Sequence, residues 1–296
     1  MVERRGGQRG GEPQRTSQPP IIDPRLPYGF TDMGNGLGVV NKCLLRMPVL
    51  AADPTHPAVI LFEALLRRVV PDPIERDWFR LWLANKVQKP WERQVGVVNV
   101  TRTHGTGRGT LFMLVRALFG GAPNVRSIGM DQIAGNTAQW TQWLEALLVT
   151  VDEADPAEEV GLARRATSSR KAYAVLKDYV DPGVKHVTVN IKGGATYETQ
   201  SFTSFLIASN SEDALPISDA DRRFTILQGN RERAPDDFYP PYEALARDEA
   251  GLDMLWGYLQ SLDVSAFRAD RALKTEARGA MIDAGKSDLD VELEGL

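Results

Sequence analysis

A glycine-rich loop between a predicted strand and a predicted helix is the first feature able to do chemistry. Residues 104–110 read HGTGRGT, after the apolar, β-branched run 95–100 and before the helical run 111–119. Backbone N–H groups of such a loop, together with the positive end of the helix, bind phosphate. In the signature G-x-x-x-x-G-K-[ST], Gly107 is the second glycine, Arg108 takes the lysine position, Gly109 the hydroxyl position, and Arg102 replaces the first glycine. A glycine-rich turn after a strand is common, so this match alone is weak.

A pair of carboxylates ends a second apolar run. Asp152 and Glu153 follow residues 147–151, which have the pattern of a buried strand. In a nucleotide hydrolase, the first carboxylate holds Mg²⁺ and the second polarises the attacking water. The alternative is a solvated acidic turn, because Asp155, Glu158 and Glu159 lie nearby.

Two further polar motifs come later in the chain. Asn210 ends the buried run 205–208, where an amide can orient water or sense a γ-phosphate, although a lone Asn there is usually a turn residue. Arg222 and Arg223 precede the last apolar run. Paired arginines suit an arginine finger, which reaches the γ-phosphate of the nucleotide in a neighbouring subunit and stabilises transition-state charge there. The alternative for them is a surface salt bridge with Asp219 or Asp221.

Alternating strands and helices must position these groups. Strands are predicted at 95–100, 125–128, 147–151, 205–208 and 224–227, and helices at 111–119, 138–146 and 169–180. This alternation is typical of an α/β fold with a parallel sheet and crossover helices. Residues 186–192 and 195–202 flank a Gly-Gly pair and predict a β-hairpin.

Four regions are expected along the chain. Residues 1–27 are rich in Gly, Pro, Gln and Arg and predict a disordered tail. Residues 28–93 form a predicted helical N-terminal region, with helices within 58–89. The α/β core spans 94–230, and a helical C-terminal region with an acidic tail spans 231–296.

Composition narrows the class of protein. The chain has 296 residues, a formal net charge of -4, one cysteine and three scattered histidines. An intrachain disulfide and a cysteine-based zinc site are therefore excluded, and no apolar run approaches a membrane-spanning length. The acidic balance argues against a uniformly basic nucleic-acid coat but permits one basic channel. We expect a soluble protein of a reducing, bacterial cytoplasm that does not bind membranes.

These motifs, in this order, resemble superfamily 3 helicases of the AAA+ class, and more narrowly the helicase domain of phage and plasmid primase-helicases. The similarity rests on GTGRGT, LLVTVDEA, a lysine-bearing hairpin, FLIASN and DALPISDADRRF, with WLANKVQKP at 82–90 as lead-in. The resemblance implies a P-loop NTPase core with a parallel sheet flanked by helices. It also implies a hexameric ring that translocates along single-stranded DNA and unwinds duplex, using ATP and Mg²⁺.

The resemblance assigns roles in nucleotide binding. Asp152 and Thr110 would hold the metal, and Glu153 would be the catalytic carboxylate. The phosphates would be held by the loop residues Gly105, Thr106, Gly107, Arg108, Gly109 and Thr110.

The remaining roles concern the sensor, the neighbouring subunit and DNA. Asn210 would be the polar sensor, and Arg222 or Arg223, with Arg222 preferred, the arginine finger. Lys192 matches the hairpin residue that grips the DNA backbone in the pore, and Lys177 matches a lysine of the preceding helix. Without the resemblance, Lys192 would be interpreted as an ordinary exposed hairpin lysine.

Two departures affect hydrolysis. Arg108 is wider and more planar than the usual lysine, and Gly109 lacks the hydroxyl that normally touches Mg²⁺, a role that Thr110 could take over.

The leading hypothesis is thus an ATP-dependent DNA helicase or translocase of a phage, plasmid or other mobile element. The alternative is a nucleotide-binding, ring-forming DNA-binding subunit with weak or lost hydrolysis, and a third is a protein-remodelling AAA+ ATPase. No primase domain fits in the chain, so priming would need a separate primase or polymerase.

Overall fold

A five-stranded parallel sheet forms the centre of the computed structural model, which describes residues 20–34, 37–46, 52–134, 139–151, 162–211 and 215–285. Its strands are β3 Gly96–Val100, β4 Val125–Ile128, β5 Leu148–Val151, β8 Ser204–Ser209 and β9 Phe224–Gln228. They lie side by side in the order β4-β5-β8-β3-β9. All five strands were predicted from their apolar runs, so this part of the α/β prediction is confirmed.

Helices cover both faces of the sheet because alternate residues of each strand point to opposite sides. Val97 of β3 joins one core cluster, whereas Val98 and Val100 join the other. The first cluster is covered by α1 Pro57–Val69, α2 Pro73–Gln88, α3 Arg108–Leu118, α6 Pro240–Leu245 and α7 Glu249–Ser261. The second is covered by α5 Leu162–Val180, α8 Glu276–Gly285 and the hairpin of β6 His186–Val189 and β7 Tyr197–Gln200. The short helix α4 Asp131–Ala134 follows β4.

The strand order reverses direction at β3. From β3 the chain crosses to the edge strand β4, returns through β5 and β8, and then places β9 on the other side of β3. In open α/β sheets, ligands bind at such a switch point, outside the carboxyl ends of the strands. The loop after Val100 therefore lies where a binding site is expected.

The amino-terminal part contains an antiparallel hairpin that the sequence pattern did not indicate. Strands β1 Gly29–Gly34 and β2 Leu37–Asn41 lie within the region expected to be helical, where α1 and α2 are also found. Residues 20–27, expected in a disordered tail, are ordered against β2. The buried Asn41 holds them, since its side chain donates to Asp23 O, Leu26 O and Pro27 O at 2.9, 2.9 and 3.1 Å.

Two other expectations change. Instead of the helix predicted at 138–146, the structure has a short 3₁₀ helix at Gln142–Glu145. Residues 135–138, just before it, lie outside the described ranges. The acidic end at 286–296 also lies outside them. None of the helices in the described ranges combines the length and apolar character needed to cross a bilayer.

Candidate nucleotide-binding site

The loop between β3 and α3 contains two glycines in the left-handed region and leads into the N-terminus of α3. Gly105 and Gly107 have φ values of 70° and 102°, which residues with a Cβ rarely adopt. Gly107 is the N-cap of α3 and supplies no side-chain hydrogen bond to the helix. The first N–H groups of α3, at Arg108, Gly109 and Thr110, therefore have no intrahelical acceptor and present the positive end of the helix dipole.

Positive φ and close packing both disfavour a larger residue at Gly107. A Cβ at this position would lie 3.3 Å from the Phe238 ring and 3.4 Å from a Val69 methyl carbon. By contrast, a Cβ at Gly109 would have no atom within 4 Å. The loop thus packs against α1 at Gly107, whereas Gly109, in the first turn of α3, faces open space.

The segment after β9 holds the loop in place. Gly105 O accepts hydrogen bonds from Ala234 N at 2.7 Å and from the Tyr239 hydroxyl at 2.8 Å. Thr103 Oγ1 donates to Arg231 O at 2.8 Å. Tyr239 therefore belongs to the site, although nothing in its helical sequence context indicated this.

A polar cavity of about 260 Å³ lies over the loop. Its lining consists of His104, Gly105, Thr106, Gly107, Arg108, Gly109, Thr110, Asn210 and Tyr239. Thr106 is 2% exposed, and its hydroxyl has no hydrogen-bond partner among the described residues. Such an unsatisfied buried donor, beside open helix N–H groups, fits an anionic group such as a nucleotide phosphate.

Arg108 and Asn210 meet directly at the carboxyl ends of β3 and β8. Arg108 Nη2 donates to Asn210 Oδ1, and Nη1 donates to Ser209 O at 2.5 Å and to Asn99 O at 3.5 Å. The structure therefore brings together the predicted phosphate loop and the predicted sensor, from positions about a hundred residues apart. The guanidinium of Arg108 is thus hydrogen-bonded to groups at the carboxyl ends of β3 and β8.

β5 leads directly into the two predicted metal-site carboxylates. Asp152 and Glu153 lie outside the described residues, although β5 ends at Val151, beside Ile207 of β8. Thr110 lines the cavity from α3. Within the described ranges, no group of three or more His, Cys, Asp or Glu side chains could hold a metal.

Arg222 and Arg223 lie at the amino-terminal ends of the strands, opposite the carboxyl ends that carry the loop. They precede β9, and Arg223 O accepts from Gly96 N at 2.8 Å, at the amino end of β3. Arg223 pairs with Asp181 at 3.5 Å, whereas Arg222 is exposed and lines a separate cavity of about 530 Å³. Neither arginine therefore reaches the loop cavity of its own chain.

The half-buried Tyr173 and the buried Asp221 fix the backbone next to Arg223. The Tyr173 hydroxyl donates to Asp221 Oδ2 at 2.5 Å, and Arg223 N donates to Asp221 Oδ1 at 2.7 Å. Burial, reinforced by the Asp221 carboxylate, raises the pKa of Tyr173 to about 12. The Tyr173 hydroxyl is therefore protonated at neutral pH and acts as a hydrogen-bond donor to Asp221. This bond holds the turn that contains the two arginines.

The two lysines predicted to bind DNA are both exposed. Lys192 is in the turn between β6 and β7, followed by Gly193 with a φ of 73°. Lys177 lies on the exposed side of α5. Both ammonium groups are accessible to a polyanion, away from the loop cavity.

Comparison with known proteins gives two kinds of similarity. A family of unknown function, DUF5906, matches residues 100–223, which include the loop, β5 and Asn210. The chain is also 22% identical over 250 residues to a "DNA Primase-polymerase" of Nitratiruptor phage NrS-1, covering 82% of this chain. It spans only 32% of the length of that relative.

Solved structures of the NrS-1 C-terminal region have a similar fold. The apo structure of residues 305–718 matches 93% of this chain and 62% of that one, with a TM-score of 0.70 and 19% identity. An A form apo structure of the NrS-1 C-terminal region matches 96% of this chain and 65% of that one, again with a TM-score of 0.70 and 19% identity. At this identity the likeness concerns the fold.

Proposed function

We propose that the chain is the motor segment of a phage or plasmid replication protein, an ATP-dependent helicase or translocase of the superfamily 3 type that acts on single-stranded DNA. One observation carries the proposal. The glycine-rich loop, with its open helix N-terminus, shares a cavity with Asn210 at the switch point of a parallel sheet. This combination suits the phosphates of a nucleotide.

The phage relative supports the link to replication. A protein named DNA primase-polymerase is similar to most of this chain, whose length matches only a part of it. A motor segment working beside a separate priming or polymerising activity is consistent with that partial coverage.

Each part of the site would contribute a defined step. The loop N–H groups and the Thr106 hydroxyl would bind phosphate oxygens, and Asn210 would contact the terminal phosphate. Asp152, with Thr110, would hold Mg²⁺, which supplies charge neutralisation on the phosphates, and Glu153 would take the proton from water. Because Arg222 is far from this cavity in its own chain, a finger role requires a second copy, as in a ring.

A second function is favoured by the engagement of Arg108. Its guanidinium is held by Ser209 O and Asn210 Oδ1. A ring-forming, nucleotide-binding subunit with slow hydrolysis is the corresponding alternative.

ATP hydrolysis measured with and without single-stranded DNA distinguishes the two. We expect turnover that single-stranded DNA stimulates and that Glu153→Gln abolishes. Glu243→Gln, an exposed carboxylate on α6, is the matched control and should leave turnover unchanged. Nucleotide binding without stimulated turnover would favour the second function, and an unchanged rate in Glu153→Gln would refute the first.

A further inference from the structure

We propose that Arg108 is a positioning residue, which holds the Asn210 side chain by its oxygen so that the amide N–H groups are left to read the terminal phosphate of a nucleoside triphosphate. The inference rests on the proposed function, because it names how that site distinguishes a triphosphate from a diphosphate. It assigns to Arg108 a role different from direct phosphate binding.

The contacts of Arg108 form a fork across two strand ends. Its Nη1 reaches Ser209 O at 2.5 Å, and its Nη2 reaches Asn210 Oδ1. Ser209 is fully buried and ends β8, so its carbonyl is a fixed anchor. A planar guanidinium held at one nitrogen by this anchor has its other nitrogen fixed in place.

Donor chemistry then decides which way the amide points. Arg has five N–H donors and no acceptor, so the Asn210 atom that faces it must be the carbonyl oxygen. The Asn210 nitrogen has no acceptor among the described residues, and it is the atom left for a ligand in the cavity that Asn210 lines.

A lysine at this position would behave differently. An ammonium is a compact charge that can bind one phosphate oxygen but cannot span a backbone carbonyl and an amide oxygen in a fixed plane. The amide of Asn210 would then be free to rotate. The consequence of Arg108 is therefore a preoriented donor pair, which matters for the terminal phosphate alone.

A double-mutant cycle on nucleotide preference tests this role. Affinities for Mg-ATP and Mg-ADP are measured calorimetrically for Arg108→Met, Asn210→Ala and the double variant of the full chain. Losing a hydrogen bond to a charged phosphate lowers affinity about tenfold. We expect each single variant to lower the ATP-to-ADP affinity ratio by about tenfold, and the double variant to lower it no further, because both changes remove the same contact.

Two other variants keep the test decisive. Arg116→Met alters an exposed arginine of the same helix and should keep the wild-type ratio. Asn210→Asp retains an acceptor for Arg108 but loses the donors, so we expect an unchanged melting temperature with the ATP preference lost.

Three results would overturn the inference: an unchanged ratio in Arg108→Met, multiplied losses in the double variant, or a retained preference in Asn210→Asp. Multiplied losses would mean that Arg108 binds phosphate itself. If the wild-type chain binds neither nucleotide, the proposed function fails as well, and this outcome is recognisable because ADP is not bound either.

Discussion

Replacing Glu75 by Gln should stabilise the protein, and the gain should grow with pH. Glu75 lies in the first turn of α2, is 7% exposed, and accepts a hydrogen bond from Gln228 N at 2.7 Å. Burial raises the pKa of its carboxyl from 4.5 to about 7, and the charges of Asp72 and Glu276 act in the same direction, while the bond from Gln228 opposes them. The folded protein therefore binds this proton more tightly than the unfolded chain does.

The sign and size follow from proton linkage. Since the folded pKa is the higher one, the free energy of unfolding decreases as pH rises from 4.5 to about 7 and is constant above. At about 1.4 kcal/mol for each pH unit between the two values, ionised Glu75 costs the folded state about 3 kcal/mol. Gln keeps an oxygen for Gln228 N and carries no charge.

Urea unfolding of wild type and Glu75→Gln between pH 5 and 8.5 measures this effect. We expect an advantage of the variant of about 1 kcal/mol or less at pH 5, which grows to about 3 kcal/mol above pH 7.5. Glu243→Gln, on an exposed site of α6, should show no pH-dependent difference. A constant difference across the range, or a loss of stability in Glu75→Gln at high pH, would refute the reasoning.

Three further substitutions test other parts of the molecule. Gly107→Val should destabilise the fold by about 3 kcal/mol in urea unfolding and abolish ATP binding, because it adds positive-φ strain and a clash with Phe238. An ATP affinity equal to that of the wild type would contradict this. Asn41→Ala leaves three carbonyls without their donor and should lower the free energy of unfolding by about 3 kcal/mol. Proteolysis at residues 20–27 should become faster, and equal digestion rates would be evidence that Asn41 does not anchor this segment. Lys192→Ala should weaken binding of single-stranded DNA measured by anisotropy at low salt and leave ATP affinity unchanged; unchanged DNA affinity would exclude the hairpin tip from the interface.

The parallel sheet was accessible from sequence because its strands are short apolar runs bounded by polar residues. The loop at 104–110 could be placed at a strand end for the same reason, and the parallel arrangement then put Asn210 at the same edge. The β6–β7 hairpin followed from alternation around Gly193, whose positive φ the turn requires.

What could not be predicted depends on tertiary contacts or on weak patterns. Strand β1 is mostly exposed and carries polar residues, so it lacks the apolar alternation of a half-buried strand. Tyr239 reaches Gly105 over a long stretch of chain, and no local signal marks such a contact. The direct bond between Arg108 and Asn210 likewise depends on the side-by-side packing of β3 and β8.

Calorimetric titration of the chain with Mg-ATP tests most directly whether the loop after β3 is a nucleotide site. We predict saturable binding of one nucleotide per chain, competed by inorganic triphosphate and absent in Gly107→Val. No binding by a folded wild-type chain, or equal affinity in Gly107→Val, would contradict the assignment of this loop.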